Sequence, residues 1–149
     1  MRQVQTSDRL GIVTNDIQSD LTDHVVLVTG GSRGIGLAAA AQLGSLGATV
    51  ILIGRSQQNL DTAVAELLSK DVDVTGICID VSDAQAVADL VGADPIASQA
   101  DILINSAGVM SEKMAKTLRT SPAEWHRVMS INLDGTFNLI SAVGPQMAA

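Results

Sequence analysis

The stretch Thr29-Gly30-Gly31-Ser32-Arg33-Gly34-Ile35-Gly36 decides the fold, because it stands directly after the apolar run Val25–Val28 and before an alanine-rich helical pattern. A chain that passes from strand to helix within a few residues needs a position without a Cβ atom, which Gly30 supplies. Gly34 would let the backbone approach an anion, and Gly36 would let the helix pack closely on the sheet. The N–H groups that open the helix, reinforced by its dipole, would then face a phosphate. The predicted anion site comprises Gly30, Ser32, Arg33, Gly34, Ile35 and Gly36.

Short apolar runs alternate with helical patterns along the rest of the chain. The runs are Val25–Val28, Val50–Ile53, Val74–Ile79 and Ile102–Ile104, and the helical patterns are Ile35–Leu46, Gln57–Ser69, Asp83–Val91 and a longer one from Ser121 towards Met147. β-Branched residues without polar alternation are typical of strands buried on both faces of a parallel sheet. We therefore expect an α/β fold, a Rossmann-type doubly wound parallel sheet that is truncated after about four strands and four helices. Residues 1–22 are expected to form an irregular leader, and residues 23–149 an incomplete dinucleotide-binding domain.

Composition excludes several classes of function. The formal net charge of -7 makes nucleic acid an unfavourable partner. No apolar stretch approaches the length of about 20 residues that spans a bilayer, and the N-terminus lacks the apolar core of a secretory signal. Cys78 is the only cysteine, and its apolar surroundings predict a buried strand thiol. We expect a soluble cytoplasmic protein without a metal site.

The end of the second strand indicates which dinucleotide is bound. In dinucleotide-binding folds an acid at this point accepts the adenosine ribose hydroxyls, whereas an arginine accommodates a 2′-phosphate. Gly54 stands where the acid would be, and Arg55 and Ser56 follow it. A guanidinium can bind a phosphate dianion through two charge-assisted hydrogen bonds. The sequence therefore favours NADP(H) over NAD(H).

The glycine turn resembles the T-G-x-x-x-G-x-G motif of the short-chain dehydrogenase/reductase family, and the resemblance extends over about residues 23–148. It implies that Arg33 is a second cation beside the 2′-phosphate. Asp80-Val81, at the end of the third strand, matches the adenine contact of the family. Asn105-Ser106-Ala107-Gly108 resembles the family's N-N-A-G, with Ser106 in place of the second Asn. This implies that Asn105 stabilises the sheet and that Ala107 and Gly108 let the backbone approach the cofactor ribose.

The chain matches fewer of the family's catalytic residues than of its cofactor-binding residues. Asn132 matches the N-x-x-G segment of the family, which implies a helix-kinking, water-holding role in a proton relay and makes it the one catalytic candidate. The family's chemistry also needs a serine on a fifth strand and a Tyr-x-x-x-Lys, but this chain contains no tyrosine. We therefore expect the chain alone to be inactive. The family also implies a homo-oligomer through the long helix after Ser121.

Three interpretations stay open. The first is part of an NADP-dependent reductase, and the segment Asn132–Met147 favours a 3-oxoacyl or similar ketone substrate. The second is a non-catalytic nucleotide-binding module, or half of a two-chain assembly. The third is a methyltransferase-like or flavodoxin-like domain. Arg55 argues against the methyltransferase, which needs a carboxylate for free ribose hydroxyls.

Overall fold

A four-stranded parallel sheet forms the centre of the protein. The structure, a computed structural model, describes residues 20–111 and 117–148. Its strands are β1 (Val25–Thr29), β2 (Thr49–Gly54), β3 (Val74–Cys78) and β4 (Ile102–Asn105), in the order β3-β2-β1-β4. Because β4 returns to the far side of β1, the strand order reverses beside the glycine turn. The predicted α/β doubly wound fold is confirmed. Most of the expected leader lies outside the described residues.

The helices follow the predicted patterns closely. They are α1 (Gly34–Ser45), α2 (Gln57–Leu68), α3 (Ala84–Ala93), α4 (Pro122–Met129) and α5 (Gly135–Met147). Ser121 caps α4, since its hydroxyl accepts the Glu124 N–H at 3.2 Å, and Pro122 occupies the first turn. A π-helical turn, Ser130–Asp134, joins α4 to α5. The long helix predicted after Ser121 is therefore present, with a π-turn around Asn132.

Helices cover both faces of the sheet, as a doubly wound fold requires. Successive side chains of a strand point to opposite faces. In β1, Val26 and Val28 join a buried cluster with α1 and α2, whereas Leu27 joins a second cluster with α3 and α5. No helix in the described ranges 20–111 and 117–148 is long and apolar enough to span a bilayer.

The two outer strands correct part of the sequence prediction. β1 and β2 are buried on both faces, but in β3 and β4 only Val74 is buried. Each outer strand has a single neighbour in the described sheet, so fewer atoms cover its side chains. Cys78 ends the outer strand β3 and is exposed, so the prediction of a buried thiol was wrong.

Candidate functional site

A cleft of about 460 Å³ lies at the carboxyl ends of the strands, where their order reverses. Such crevices are where open α/β sheets bind ligands. The structure brings together ten of the predicted cofactor residues in its lining, namely Gly30, Ser32, Arg33, Gly34, Ile35, Arg55, Ser56, Val81, Ala107 and Gly108. The other predicted residues, Gly36, Asp80, Asn105 and Asn132, lie outside the lining.

Three glycines of the turn have distinct geometric reasons. Gly30 has a φ of +64°, and a Cβ there would lie 2.7 Å from the Ser106 carbonyl oxygen. A Cβ on Gly36 would lie 2.6 Å from the Gly30 carbonyl oxygen, so Gly36 lets α1 pack beneath the turn. Gly34 has a φ of +59° and open space where its Cβ would be. The turn therefore presents bare backbone to the cleft at Gly34.

The N-terminus of α1 opens onto the same space. No side chain caps this helix at Arg33. The first N–H groups of a helix have no partner within the helix. Gly34 and Ile35, which carry two of these groups, line the cleft. Together with the helix dipole, this arrangement suits an anion.

Thr29 fixes the glycine turn against the end of β4. Its side chain is 1% exposed. Its hydroxyl oxygen accepts the N–H groups of Ser106 and Ala107, both at 3.0 Å, and lies 3.5 Å from the Ile104 carbonyl oxygen, to which it donates. Sequence reasoning gave Thr29 no role, although it is the first residue of the glycine motif. The hydroxyl joins two walls of the cleft.

Arg55 and Ser56 stand at the β2 side of the cleft. Ser56 caps α2, and its hydroxyl accepts the Asn59 N–H at 3.4 Å. Arg55 Nη1 lies 3.5 Å from Asp80 Oδ2, with both side chains about half exposed. Asp80 therefore contacts a cleft residue without lining the cleft itself.

Asp80 is held in its charged form. Its Oδ1 accepts the Ser82 N–H at 2.9 Å and the Ser82 hydroxyl at 2.7 Å. Burial raises the pKa of the Asp80 carboxyl, but the Ser82 hydrogen bonds and the Arg55 guanidinium outweigh that effect and hold the pKa below its ordinary value. An ionised Asp80 beside Arg55 lowers the net positive charge at this end of the cleft.

Val81 is set by α5. A Cβ on Gly135 would lie 2.6 Å from Val81 Cγ2, so this glycine allows close packing of the helix on Val81. The Asn138 amide donates to the Val81 carbonyl oxygen at 2.9 Å. These contacts hold one apolar wall of the cleft in place.

Asn132 acts on the cleft through Val109. Its side-chain amide donates to the Val109 carbonyl oxygen at 3.0 Å and accepts the Val109 N–H at 2.8 Å. Val109 lines the cleft, and Asn132 does not. The structure thus gives Asn132 a positioning contact inside the π-turn, while its part in a proton relay stays a prediction.

Sequence reasoning did not assign several residues of the lining to the cofactor site. They are Ile53, Gly54, Asn59, Ile79, Ser106, Val109 and Ile131. Most are direct neighbours of predicted positions at strand ends, so the strand boundaries could have indicated them. Asn59 and Ile131 come from helices, and only the tertiary fold brings them to the cleft. Asn105, predicted to stabilise the sheet, pairs with Thr29 at the ends of β4 and β1.

Comparison with known proteins agrees with this geometry. The family profile described as "short chain dehydrogenase" matches residues 24–149. The chain belongs to the short-chain dehydrogenase family.

Individual family members resemble the chain over about half of their length. Dehydrogenase/reductase SDR family member 4 from Rattus norvegicus is 37% identical over 131 residues, which cover 87% of this chain and 47% of the relative. The 3-oxoacyl-acyl-carrier-protein reductase of Staphylococcus aureus is 36% identical over 81% of this chain and 49% of its own length.

A solved structure shows the same extent of similarity. A variant of actinorhodin polyketide ketoreductase with NADPH superposes with a TM-score of 0.74 and 32% identity, over 80% of this chain and 46% of that one. The chain thus spans about half the length of the relatives it matches.

Proposed function

We propose that this short-chain dehydrogenase chain is an NADP(H)-binding unit, and that hydride transfer between NADPH and a ketone or alcohol is the reaction it serves. The cleft beside the glycine turn provides the backbone N–H groups of α1 for the pyrophosphate. In this proposal Asp80 and Val81 contact the adenine, and Ala107 and Gly108 lie along the nicotinamide ribose.

The observation that carries the proposal is the charge of the cleft. Arg33 and Arg55 both line it, and none of the described residues in its lining is acidic. An acid at the end of β2 would repel a 2′-phosphate and bind free ribose hydroxyls instead. Gly54 occupies that position at the end of β2 and carries no charge. Two guanidinium groups beside one cleft therefore support NADP(H).

The chemistry itself belongs to residues that this chain does not contain. A tyrosine is the family's acid/base, and the 149 residues include none. General acid–base catalysis contributes typically about 10²–10⁴-fold to the rate. The alternative proposal, a non-catalytic module or half of a two-chain assembly, predicts the same cofactor binding. Steady NADPH oxidation with a ketone substrate that follows the purified chain would contradict our assignment of the chemistry.

We also propose that the chain forms a homo-oligomer through α4 and α5 and works in the cytoplasm. Four apolar residues along α4, the π-turn and α5 are each more than half exposed, namely Trp125, Leu133, Phe137 and Ile140. Val128, on α4, is half-buried. Contiguous exposed apolar side chains are typical of protein interfaces. The single cysteine fits a reducing compartment.

Binding of two nucleotide fragments tests the proposal. We expect 2′,5′-ADP to bind the chain more tightly than 5′-AMP in calorimetric titrations, because the two differ in the 2′-phosphate. Equal binding of both would contradict the NADP(H) assignment. Absence of binding by either would contradict a nucleotide site at this cleft.

A further inference from the structure

A bidentate ion pair on α4 holds the chain that follows β4. Arg127 Nε donates to Glu124 Oε2 and Arg127 Nη2 donates to Glu124 Oε1, both at 2.8 Å. The same Nη2 donates to the Met110 carbonyl oxygen at 3.0 Å. The two side chains are only 31% and 20% exposed. Paired bonds of this kind fix the plane of a guanidinium as well as its position. Arg127 therefore reaches Met110 from a fixed direction.

Arg127 works beside Asn132 on the same short segment. Asn132 holds Val109 through two hydrogen bonds, and Arg127 holds the next residue, Met110. Five positions separate the two side chains, a spacing that in a regular α-helix places them about 140° apart. The π-turn between them underwinds the helix. α4 and the π-turn thus anchor two successive residues, of which Val109 lines the cleft.

The Val109–Met110 segment lies opposite the arginine end of the cleft. Arg55 follows β2 and Val109 follows β4, with β1 between those strands. The cleft therefore extends across the ends of three strands, and neighbouring strands lie about 4.8 Å apart. If Arg55 binds the 2′-phosphate, as the proposed function holds, the nicotinamide half of the cofactor reaches the Val109 side.

We propose that Arg127, oriented by Glu124, is a positioning residue for the nicotinamide half of NADP(H). It does not line the cleft, and it acts by fixing the backbone of Val109–Met110. This inference rests on the proposed function and adds to it a residue specific to one half of the cofactor. A loosened wall should weaken contacts to the nicotinamide half and leave the adenosine half unchanged.

The test compares NADPH with 2′,5′-ADP, which lacks the nicotinamide half. We expect Arg127→Ala to lower the affinity for NADPH about five- to tenfold, the scale of one ordinary hydrogen bond, and to leave the affinity for 2′,5′-ADP unchanged. Arg127→Lys should show a similar loss for NADPH, because a lysine cannot form the bidentate pair. Arg119→Ala, which removes an exposed cation from the same region, should change neither affinity.

The outcomes separate this inference from the proposed function. Failure of the unmodified chain to bind 2′,5′-ADP overturns the proposed function and this inference with it. Normal 2′,5′-ADP binding together with unchanged NADPH affinity in both Arg127 variants overturns the positioning role alone. Equal losses for both ligands in Arg127→Lys would show a general structural role and would also overturn it.

Discussion

Arg55 and Asp80 form an ion pair across the ends of β2 and β3, with Nη1 and Oδ2 3.5 Å apart. The residue proposed to bind the 2′-phosphate is therefore already in contact with a carboxylate. That carboxylate is held in its charged form by Ser82 and by Arg55 itself. A phosphate dianion at Arg55 would have to share the guanidinium with it.

Asp80→Asn is expected to strengthen the preference for NADPH over NADH by about two- to fivefold, since exposed ion pairs contribute up to about 1 kcal/mol. The substitution removes a negative charge from the 2′-phosphate site. The ratio of the two affinities isolates this effect, because both cofactors carry the same adenine. Fluorescence titration of both cofactors measures it, with Ser82→Ala, which keeps the carboxylate, as control. A weaker preference in Asp80→Asn would mean that Asp80 orients Arg55 instead of competing for it.

Thr29→Val is expected to lower the free energy of unfolding by about 1–3 kcal/mol, because it leaves the N–H groups of Ser106 and Ala107 without their acceptor. Valine keeps the shape of threonine and removes only the hydroxyl. Urea denaturation measures the change. Thr29→Ser retains the hydroxyl and should recover most of the loss. Equal destabilisation by both substitutions would assign the effect to packing.

Gly36→Ala is expected to destabilise the protein and weaken cofactor binding. Its Cβ would lie 2.6 Å from the Gly30 carbonyl oxygen and 3.0 Å from the Gly30 carbonyl carbon, and backbone atoms cannot easily yield. Gly92→Ala is the matched control, because Gly92 is also helical but a Cβ there would have nothing within 4 Å. That substitution should stabilise the protein by about 0.5–1 kcal/mol. The melting temperatures of both variants, measured with and without NADPH, test this difference. Similar melting temperatures of the two variants would contradict the prediction.

Phe137→Asp is expected to reduce self-association of the chain. Phe137 is 67% exposed in the apolar face of α5, and burying an aspartate carboxylate there against an apolar partner surface would cost desolvation free energy. Light scattering over a dilution series measures the change in mass. Leu118→Asp places the same charge at a residue that is 98% exposed but lies outside this helix, and it should leave the mass unchanged. A monodisperse monomer before any substitution would contradict the proposed interface.

The sequence predicted features that depend on a few neighbouring residues. The need for a position without a Cβ at Gly30 follows from a tight strand–helix turn, and the start of the long helix at Ser121 follows from its helical pattern. The doubly wound parallel sheet followed from the alternation of apolar runs and helical patterns. These features could be predicted because their causes lie within one motif or one repeating pattern.

Features that depend on distant parts of the chain were missed. The sequence around Cys78 is apolar, but the burial of its side chain depends on whether another element covers the end of β3. The contact of Arg55 with Asp80 joins two strand ends, and that of Arg127 with Met110 joins a helix to a loop. Neither the spacing of residues along the sequence nor the composition predicts such contacts. The neutralising effect of Asp80 on Arg55 was therefore seen only in the structure.

The most direct test of the account compares NADPH with NADH by calorimetry on this chain and on Arg55→Ala. We expect NADPH to bind at least about tenfold more tightly than NADH, from one or more charged hydrogen bonds to the 2′-phosphate. In Arg55→Ala the two affinities should approach one another, while Lys70→Ala, which removes a cation paired with Glu66, should keep the difference. Equal affinities of the unmodified chain for NADPH and NADH would contradict the assignment of this cleft to NADP(H).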